Sequence, residues 1–318
     1  METRRSGEVV VVGGGVVGLA TAVVLAERGR RVRVWTRDPV ERTTSAVAGA
    51  LWWPYRIEPV ASARTWALRS LQVYEELAQR PEPTGVRLVD GVMGETDLAD
   101  VEGWAVGRLA GLRRATAAEY PGGTAVRARL PLIDMAAHLP WLRERLRQAG
   151  GTVEERTVRD LAEADAPVVV NCTGLGARDL VPDPSVRPVR GQLVVVANPG
   201  VRTWLVSTAP DGEMAYLFPQ PGRLLLGGTA EEGVWSLEPD PAVAAAIVRR
   251  CAALRPEVAG ARVLEHRVGL RPVRPAVRLE REVLPDGRVV VHHYGHGGAG
   301  VTVAWGCAEE AAGLAAPS

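Results

Sequence analysis

The run Gly13-Gly14-Gly15-Val16-Val17-Gly18 constrains the chain most, because of what flanks it. Before it stand Val9 to Val12, apolar without alternation, the pattern of a strand buried on both faces in a parallel sheet covered by helices. After it an apolar helix runs through Arg28, Gly29 ends it, and Val32-Arg33-Val34-Trp35 reads as a second strand. A βαβ unit whose first turn fits G-x-G-x-x-G predicts dinucleotide binding. Its glycines, Gly13, Gly15 and Gly18, let the backbone approach a pyrophosphate, and the helix start at Val16 and Val17 offers free N–H groups and positive dipole. Asp38, about twenty residues beyond Gly18, is placed to accept from an adenosine ribose.

Composition narrows the partners. With 318 residues the chain can hold one large or two interleaved domains. A net charge of +1 without a basic stripe argues against nucleic acid, and a small molecule is the default partner. Every basic side chain other than histidine is arginine, so no Schiff base can form. Together with a single phenylalanine, this suggests a GC-rich bacterial gene. Cys172, Cys251 and Cys307 are widely spaced in apolar contexts and read as buried thiols of a reducing, cytoplasmic compartment. The apolar run after Arg4 and Arg5 is broken by four glycines and leads into Glu27-Arg28 without a cleavage motif, so neither a signal peptide nor a membrane span is expected. The end, Ala315 to Ser318, carries no targeting or lipid-attachment motif.

Further along, Ser62 to Arg80 has helical spacing, and Gly85 to Leu132 reads as short strands and turns. A helix from Met135 to Ala149 is expected with Asp134 as N-cap, Gly150 as terminator and a kink at Pro140. Val168 to Asn171 is another buried strand with a glycine turn behind it. Gly191 to Val196, Tyr216 to Phe218 and Arg223 to Gly228 predict an antiparallel sheet, taken as a layer separate from the parallel one. Asp240-Pro241 opens a helix to about Leu254. A strand from Arg288 to His292, a glycine loop from Tyr294 to Gly300 and a helix from Thr302 to about Ala315 close the chain. The N-terminal motif does not choose between NAD and FAD. A second helix N-terminus behind the late glycine loop favours FAD, since a dipole end near the flavin N1–C2=O edge stabilises an anionic reduced ring.

Several segments resemble those of the D-amino acid oxidase family, in order and over nearly the whole chain: Thr43-Thr44-Ser45 through Tyr55, Asn171-Cys172-Thr173-Gly174, Gly269-Leu270-Arg271-Pro272-Val273-Arg274-Pro275 with Arg278-Leu279-Glu280, and His293-Tyr294-Gly295-His296-Gly297-Gly298. The resemblance implies an α/β fold, with an FAD-binding Rossmann-like parallel sheet domain (6–50, 128–185 and 274–316) interleaved with a substrate domain on a largely antiparallel sheet (51–127 and 186–273). It implies that Arg271 pairs with the substrate α-carboxylate, a task suited to a planar guanidinium. It further implies that Tyr216 donates to the same carboxylate and that the Gly298 carbonyl accepts from the substrate amine. Thr43, Thr44, Gly49, Ala50, Leu51, Thr173, Gly174, Gly297, Gly298, Gly300, Val301 and Thr302 would line the cofactor, Val158 would meet its adenine end, and Trp53 and Tyr55 would face the substrate side chain.

The implied reaction is oxidative deamination of a D-amino acid with a neutral or apolar side chain, by hydride transfer to flavin N5. Dioxygen is the acceptor, and the products are a 2-oxo acid, ammonia and hydrogen peroxide. Arg56 beside Tyr55 keeps a D-aspartate oxidase in view, as does a glycine or sarcosine-type amine oxidase. A nicotinamide-dependent dehydrogenase and a non-catalytic flavin-binding protein are the rivals from other classes. Arg37 stands where some relatives carry the ribose acid, and the segment Ala209 to Met214 is shorter than the lid of animal relatives. His292, His293 and His296 lack a visible carboxylate or thiolate cluster, so no metal is expected. A homo-oligomer is compatible with the sequence.

Overall fold

The computed structural model describes residues 7–209 and 211–316. Residue 6, Arg4, Arg5, Pro210 and the last two residues, on which some expectations fall, lie outside them.

The parallel half forms where the apolar runs predicted it. Strands Val289–His296, Val168–Asn171, Glu8–Val12, Arg31–Thr36 and Thr152–Glu155 lie side by side in that order, all parallel. Helix Val16–Glu27 follows the first strand and packs against the last helix, Gly300–Leu314. A third helix, Val60–Leu77, buries a stripe of Ala63, Trp66, Ala67, Ser70, Leu71 and Tyr74 at three- and four-residue spacing. It seats the last helix at short range: a Cβ on Gly306 would lie 2.4 Å from the Trp66 carbonyl oxygen, and Gly306 N–H donates to Ser70 Oγ at 2.9 Å. Tyr74 OH donates to the Val301 carbonyl at 2.8 Å.

The antiparallel half is also regular. Val86–Gly94 and Ala125–Ile133 pair over their full nine residues, longer than the short strands expected there. Trp204–Thr208, Met214–Gln220, Arg223–Gly227 and Arg187–Ala197 continue the sheet in that order. The two halves are not separate layers, which corrects the sequence reading. Strand Val263–Val283 is 21 residues long; its first part pairs with Arg187–Ala197 and its second with Val289–His296, making one continuous 14-stranded sheet among the described residues. Pro272 and Pro275 hide this strand in the sequence, because proline is rare inside sheets. The structure accommodates them by setting Pro272 opposite Pro188 and Pro275 inside the register shift between Val273 and Arg278. The expected domain boundary at 273/274 falls at this shift.

Helix starts are capped as read. Asp134 accepts from Ala136 N–H at the head of Met135–Gln148, which runs through Pro140, and Asp240 accepts from Ala242 and Val243 N–H at the head of Pro241–Leu254. Such a cap contributes about 1 kcal/mol. Among the described residues no helix is long and apolar enough to cross a membrane.

Candidate active site

In the turn Gly13 to Gly18 the glycines are sterically required. Gly13 has φ +119, and a Cβ on it would lie 2.3 Å from the Cys172 carbonyl oxygen; on Gly18 it would lie 1.9 Å from the Gly13 oxygen. Helix Val16–Glu27 has no acidic residue in its first turn, and Leu19 N–H to Gly15 O is a first ladder bond. The N–H groups of Val16, Val17 and Gly18 thus stand outside the ladder. Ser45 Oγ accepts the one on Val16 at 3.0 Å, a contact across 29 residues that spacing alone does not show. Asp38 follows strand Arg31–Thr36 and ion-pairs through Oδ2 with Arg37 at 2.9 Å. Val158 packs against the apolar cluster that includes Val10, Val12 and Trp35.

The second helix terminus repeats the arrangement. Val303 N–H bonds to Ala299 O, so the N–H groups of Gly300, Val301 and Thr302 precede the ladder, with no side-chain cap and no acid in the first turn. A Cβ on Gly300 would touch Val17 at 3.7 Å, so the two helix starts adjoin. Gly297 N–H is held by the Pro272 carbonyl at 2.9 Å, and Gly174 (φ +57) abuts Pro272. Thr302 can offer only its N–H, because its buried hydroxyl donates to the Trp53 carbonyl at 3.0 Å. Thr43 likewise spends its hydroxyl on the Val40 carbonyl, while Thr44 is exposed. Ala50 (φ +57) and Leu51 are pinned to the end of strand Ala125–Ile133 by Ile133 N–H to Ala50 O and a bridge from Leu51 to Leu132. Two neighbouring helix starts with free N–H groups, and glycines where side chains would block, fit a long anionic dinucleotide such as FAD.

Of the residues expected to face a substrate, Arg271 and Tyr216 come from strands of the antiparallel half, and Gly298, Trp53 and Tyr55 from loops. Arg271 is half-buried and lies flat on Gly191, where a Cβ would come within 2.5–2.6 Å of the guanidinium. Its Nη1 donates to the Thr229 carbonyl at 2.9 Å, and among the described residues no carboxylate pairs with it. Gly298 lies against the Arg271 Cδ (3.5 Å) and Tyr55 Cδ1 (3.7 Å), measured from the Cβ it lacks. The Tyr216 ring stacks on Phe218, centroids 4.4 Å apart, and presses on Gly227 and Gly228, where a Cβ would meet it at 2.0 and 2.6 Å. Burial raises the Tyr216 phenol while the Arg271 charge pulls it back. The hydroxyl therefore keeps its proton and can donate. Gly49 faces Phe218 and Tyr216. Trp53 packs edge-on against Trp104 at 5.7 Å, and Tyr55 is 37 % exposed with the Arg56 guanidinium 5.2 Å from its ring centroid.

Thus Arg271, Gly298 and Tyr55 meet, Tyr216 stands within the field of Arg271, and Asp38 follows strand Arg31–Thr36 while Val158 packs against the cluster that includes Trp35. Gly191, Thr229, Phe218 and Trp104 escaped the sequence reading. Gly191 alone had a readable signal, a glycine inside a strand, which marks a close approach. The neighbouring Arg274 is quite different from Arg271: its Nε donates to Asp183 at 2.9 Å, Tyr294 OH donates to the same carboxylate, and Arg278 donates to Tyr294. The fold also brings the Cys307 thiol to His293 and His296, a neighbour the sequence spacing did not show.

Residues 8–314 match the family described as FAD dependent oxidoreductase. A D-amino-acid oxidase of Streptomyces coelicolor is 76% identical over 99% of this chain and 98% of its own length, and one of Rubrobacter xylanophilus is 52% identical over the same shares. The fold also resembles the crystal structure of glycine oxidase from Bacillus cereus, with TM-score 0.81 and 18% identity over 97% of this chain and 94% of that one. The chain belongs to the D-amino acid oxidase family of FAD-dependent oxidoreductases.

Proposed function

We propose that this enzyme oxidises neutral D-amino acids, taking a D-amino acid, dioxygen and water to a 2-oxo acid, ammonia and hydrogen peroxide. The observation that carries the reading is Arg271, a half-buried guanidinium with no carboxylate partner among the described residues. Burying such a charge unpaired is costly, and an acid group of the substrate removes the cost. Relatives named for this activity, similar over the full chain, support the same reading.

In this reading the Thr229 carbonyl anchors Nη1 of Arg271, leaving Nη2 and Nε to grip the α-carboxylate as a fork. Tyr216 adds a hydroxyl donor to that carboxylate. The Gly298 carbonyl accepts from the amine, which fixes a third point and so selects one hand of the α-carbon. Trp53 and Tyr55 border the side-chain space. FAD, when bound, supplies the two-electron acceptor that dioxygen reoxidises. Gly13, Gly15, Val16, Val17 and Gly18 hold its phosphates, Asp38 and Val158 its adenosine end, and Thr43, Thr44, Gly49, Ala50, Leu51, Thr173, Gly174, Gly297, Gly300, Val301 and Thr302 border the remainder. No side-chain base is required, because orientation and fixed charge carry the rate. The interleaved domain division given above accompanies this reading. So does a cytoplasmic site of action, supported by three free and unexposed thiols.

An anaerobic titration of the flavin spectrum with D- and L-alanine, D-valine, D-aspartate and glycine tests it. Bleaching by the neutral D-amino acids, with oxygen uptake on readmitting air, is expected. Bleaching by D-aspartate alone would transfer the assignment to an acidic side chain and bring Arg56 into the pocket. No bleaching by any of them would refute oxidation of amino acids.

A further inference from the structure

His293 and His296 lie at the end of strand Val289–His296, and Cys307 lies two turns into helix Gly300–Leu314; all three are buried. One ligand atom from each, a ring nitrogen or the sulfur, lies within 4.8 Å of the others, and the two rings meet edge to face with centroids 4.9 Å apart. None of these side chains takes part in the substrate clamp.

Two groups face His293 Nδ1, Thr21 Oγ1 at 3.2 Å and Cys172 Sγ at 3.8 Å, and the hydroxyl is the nearer. The Thr21 hydroxyl has one hydrogen, and it goes to the Val17 carbonyl at 2.8 Å. Thr21 Oγ1 therefore accepts from His293 Nδ1 at 3.2 Å, which leaves His293 Nε2 a bare lone pair. That atom is buried without a partner among the described residues, and so is Nε2 of His296. Each such orphan costs about 1–3 kcal/mol. Two imidazoles, each with an unpartnered Nε2, clustered with a thiol offer the donor set of a soft-metal site, and the Thr21 contact suits an Nδ1–H tautomer of the first imidazole, as outer partners of metal ligands do.

We propose that His293, His296 and Cys307 bind one monovalent d10 cation, Cu+, in a three-coordinate buried site. Cys307 loses its thiol proton to solvent as the sulfur–metal bond forms, with no change of oxidation state. Two neutral imidazoles, one thiolate and Cu+ then sum to zero charge, whereas a divalent ion would leave these three ligands with a net positive charge in a buried place. Burial, with Glu310 and Cys172 nearby, keeps the free thiol protonated, and the cation is what makes the thiolate tolerable. Bond lengths of about 2.0–2.3 Å require each ligand atom to move inward by about half an ångström.

Because the site is closed, loading belongs to folding, and the test uses FAD-bound enzyme purified from cells grown with added copper or added zinc. Mass spectrometry of the metal is expected to give about one copper per flavin, falling to under about a tenth in Cys307→Ser and in His293→Asn. X-ray absorption at the copper edge of the unaltered enzyme, which requires no variant to fold, is expected to show one sulfur and two nitrogen neighbours. Copper-free enzyme, copper retained in both variants or a shell without sulfur would overturn the proposal, leaving a buried water as the partner of these nitrogens. Stoichiometric zinc in place of copper would overturn the monovalent assignment.

Discussion

Two arginines three positions apart on strand Val263–Val283 live in opposite surroundings. Around Arg274 every strong polar group is answered inside the protein: Asp183 receives Arg274 and Tyr294, Ser185 donates to the same carboxylate, and Arg278 answers the tyrosine. Around Arg271 the neighbours are glycines, one carbonyl and a tyrosine hydroxyl without a hydrogen bond among the described residues. The first group is a knot that holds the strand at its register shift. The second is a wall whose guanidinium has no carboxylate partner among the described residues, as the proposed clamp requires. Satisfied charge signals architecture here, and unsatisfied charge signals binding.

Substitutions can break this contrast. Arg271→Met is expected to lower kcat/KM for D-alanine roughly 10³-fold, about 4 kcal/mol of binding to the carboxylate in the transition state, with flavin content and melting temperature nearly unchanged. Steady-state kinetics beside a melting curve read both. Gly191→Ala, which pushes a methyl to within 2.5–2.6 Å of the guanidinium, should cost about 10²-fold in kcat/KM by displacing the fork. Activity within threefold of the unaltered enzyme would show that the position of the fork does not matter. Arg274→Met should do the reverse, costing about 2–3 kcal/mol of stability in denaturant titrations while kcat stays within about twofold, because Asp183 would lose its charge partner in a largely buried place.

Acid sharpens the comparison with the smallest effect. Burial alone would raise the Asp183 carboxyl, but bonds from Ser185, Arg274 and Tyr294 outweigh it and hold the group well below the usual 3.8. A depressed carboxylate contributes stability that is present above its unfolded pKa and lost as pH falls toward the folded value. Melting temperature should therefore fall below about pH 4 more steeply in the unaltered enzyme than in Arg274→Met. His138, held down to about 4 chiefly by burial, destabilises both proteins alike between 6.5 and that value, so it cancels from the difference. Parallel melting curves in the two proteins would contradict the knot.

The same contrast explains what could be read beforehand. The turn Gly13 to Gly18 was legible because strand, glycines and helix start are contiguous and each carries its own periodicity. Arg271 was legible as a candidate only through the company it keeps in sequence; its surroundings depend on Gly191, from strand Arg187–Ala197, and Thr229, from the loop after strand Arg223–Gly227. The prolines of Gly269 to Pro275 conceal the strand that joins both halves of the sheet, since proline is rare inside sheets and the fold accommodates them with a Pro272–Pro188 pair and a register shift at Pro275. Cys307 could not be attached to His293 and His296 from sequence, because helix Gly300–Leu314 must first fold back over strand Val289–His296.

The central claim is that Arg271 exists to hold the α-carboxylate. Its most direct test is to measure kcat/KM for D-alanine and for D-alaninamide, which lacks that negative charge, in the unaltered enzyme and in Arg271→Met. The account predicts strong preference for the acid in the first protein, on the order of 10³-fold, and almost none in the second. A variant that still preferred the acid as strongly as the unaltered enzyme would contradict it.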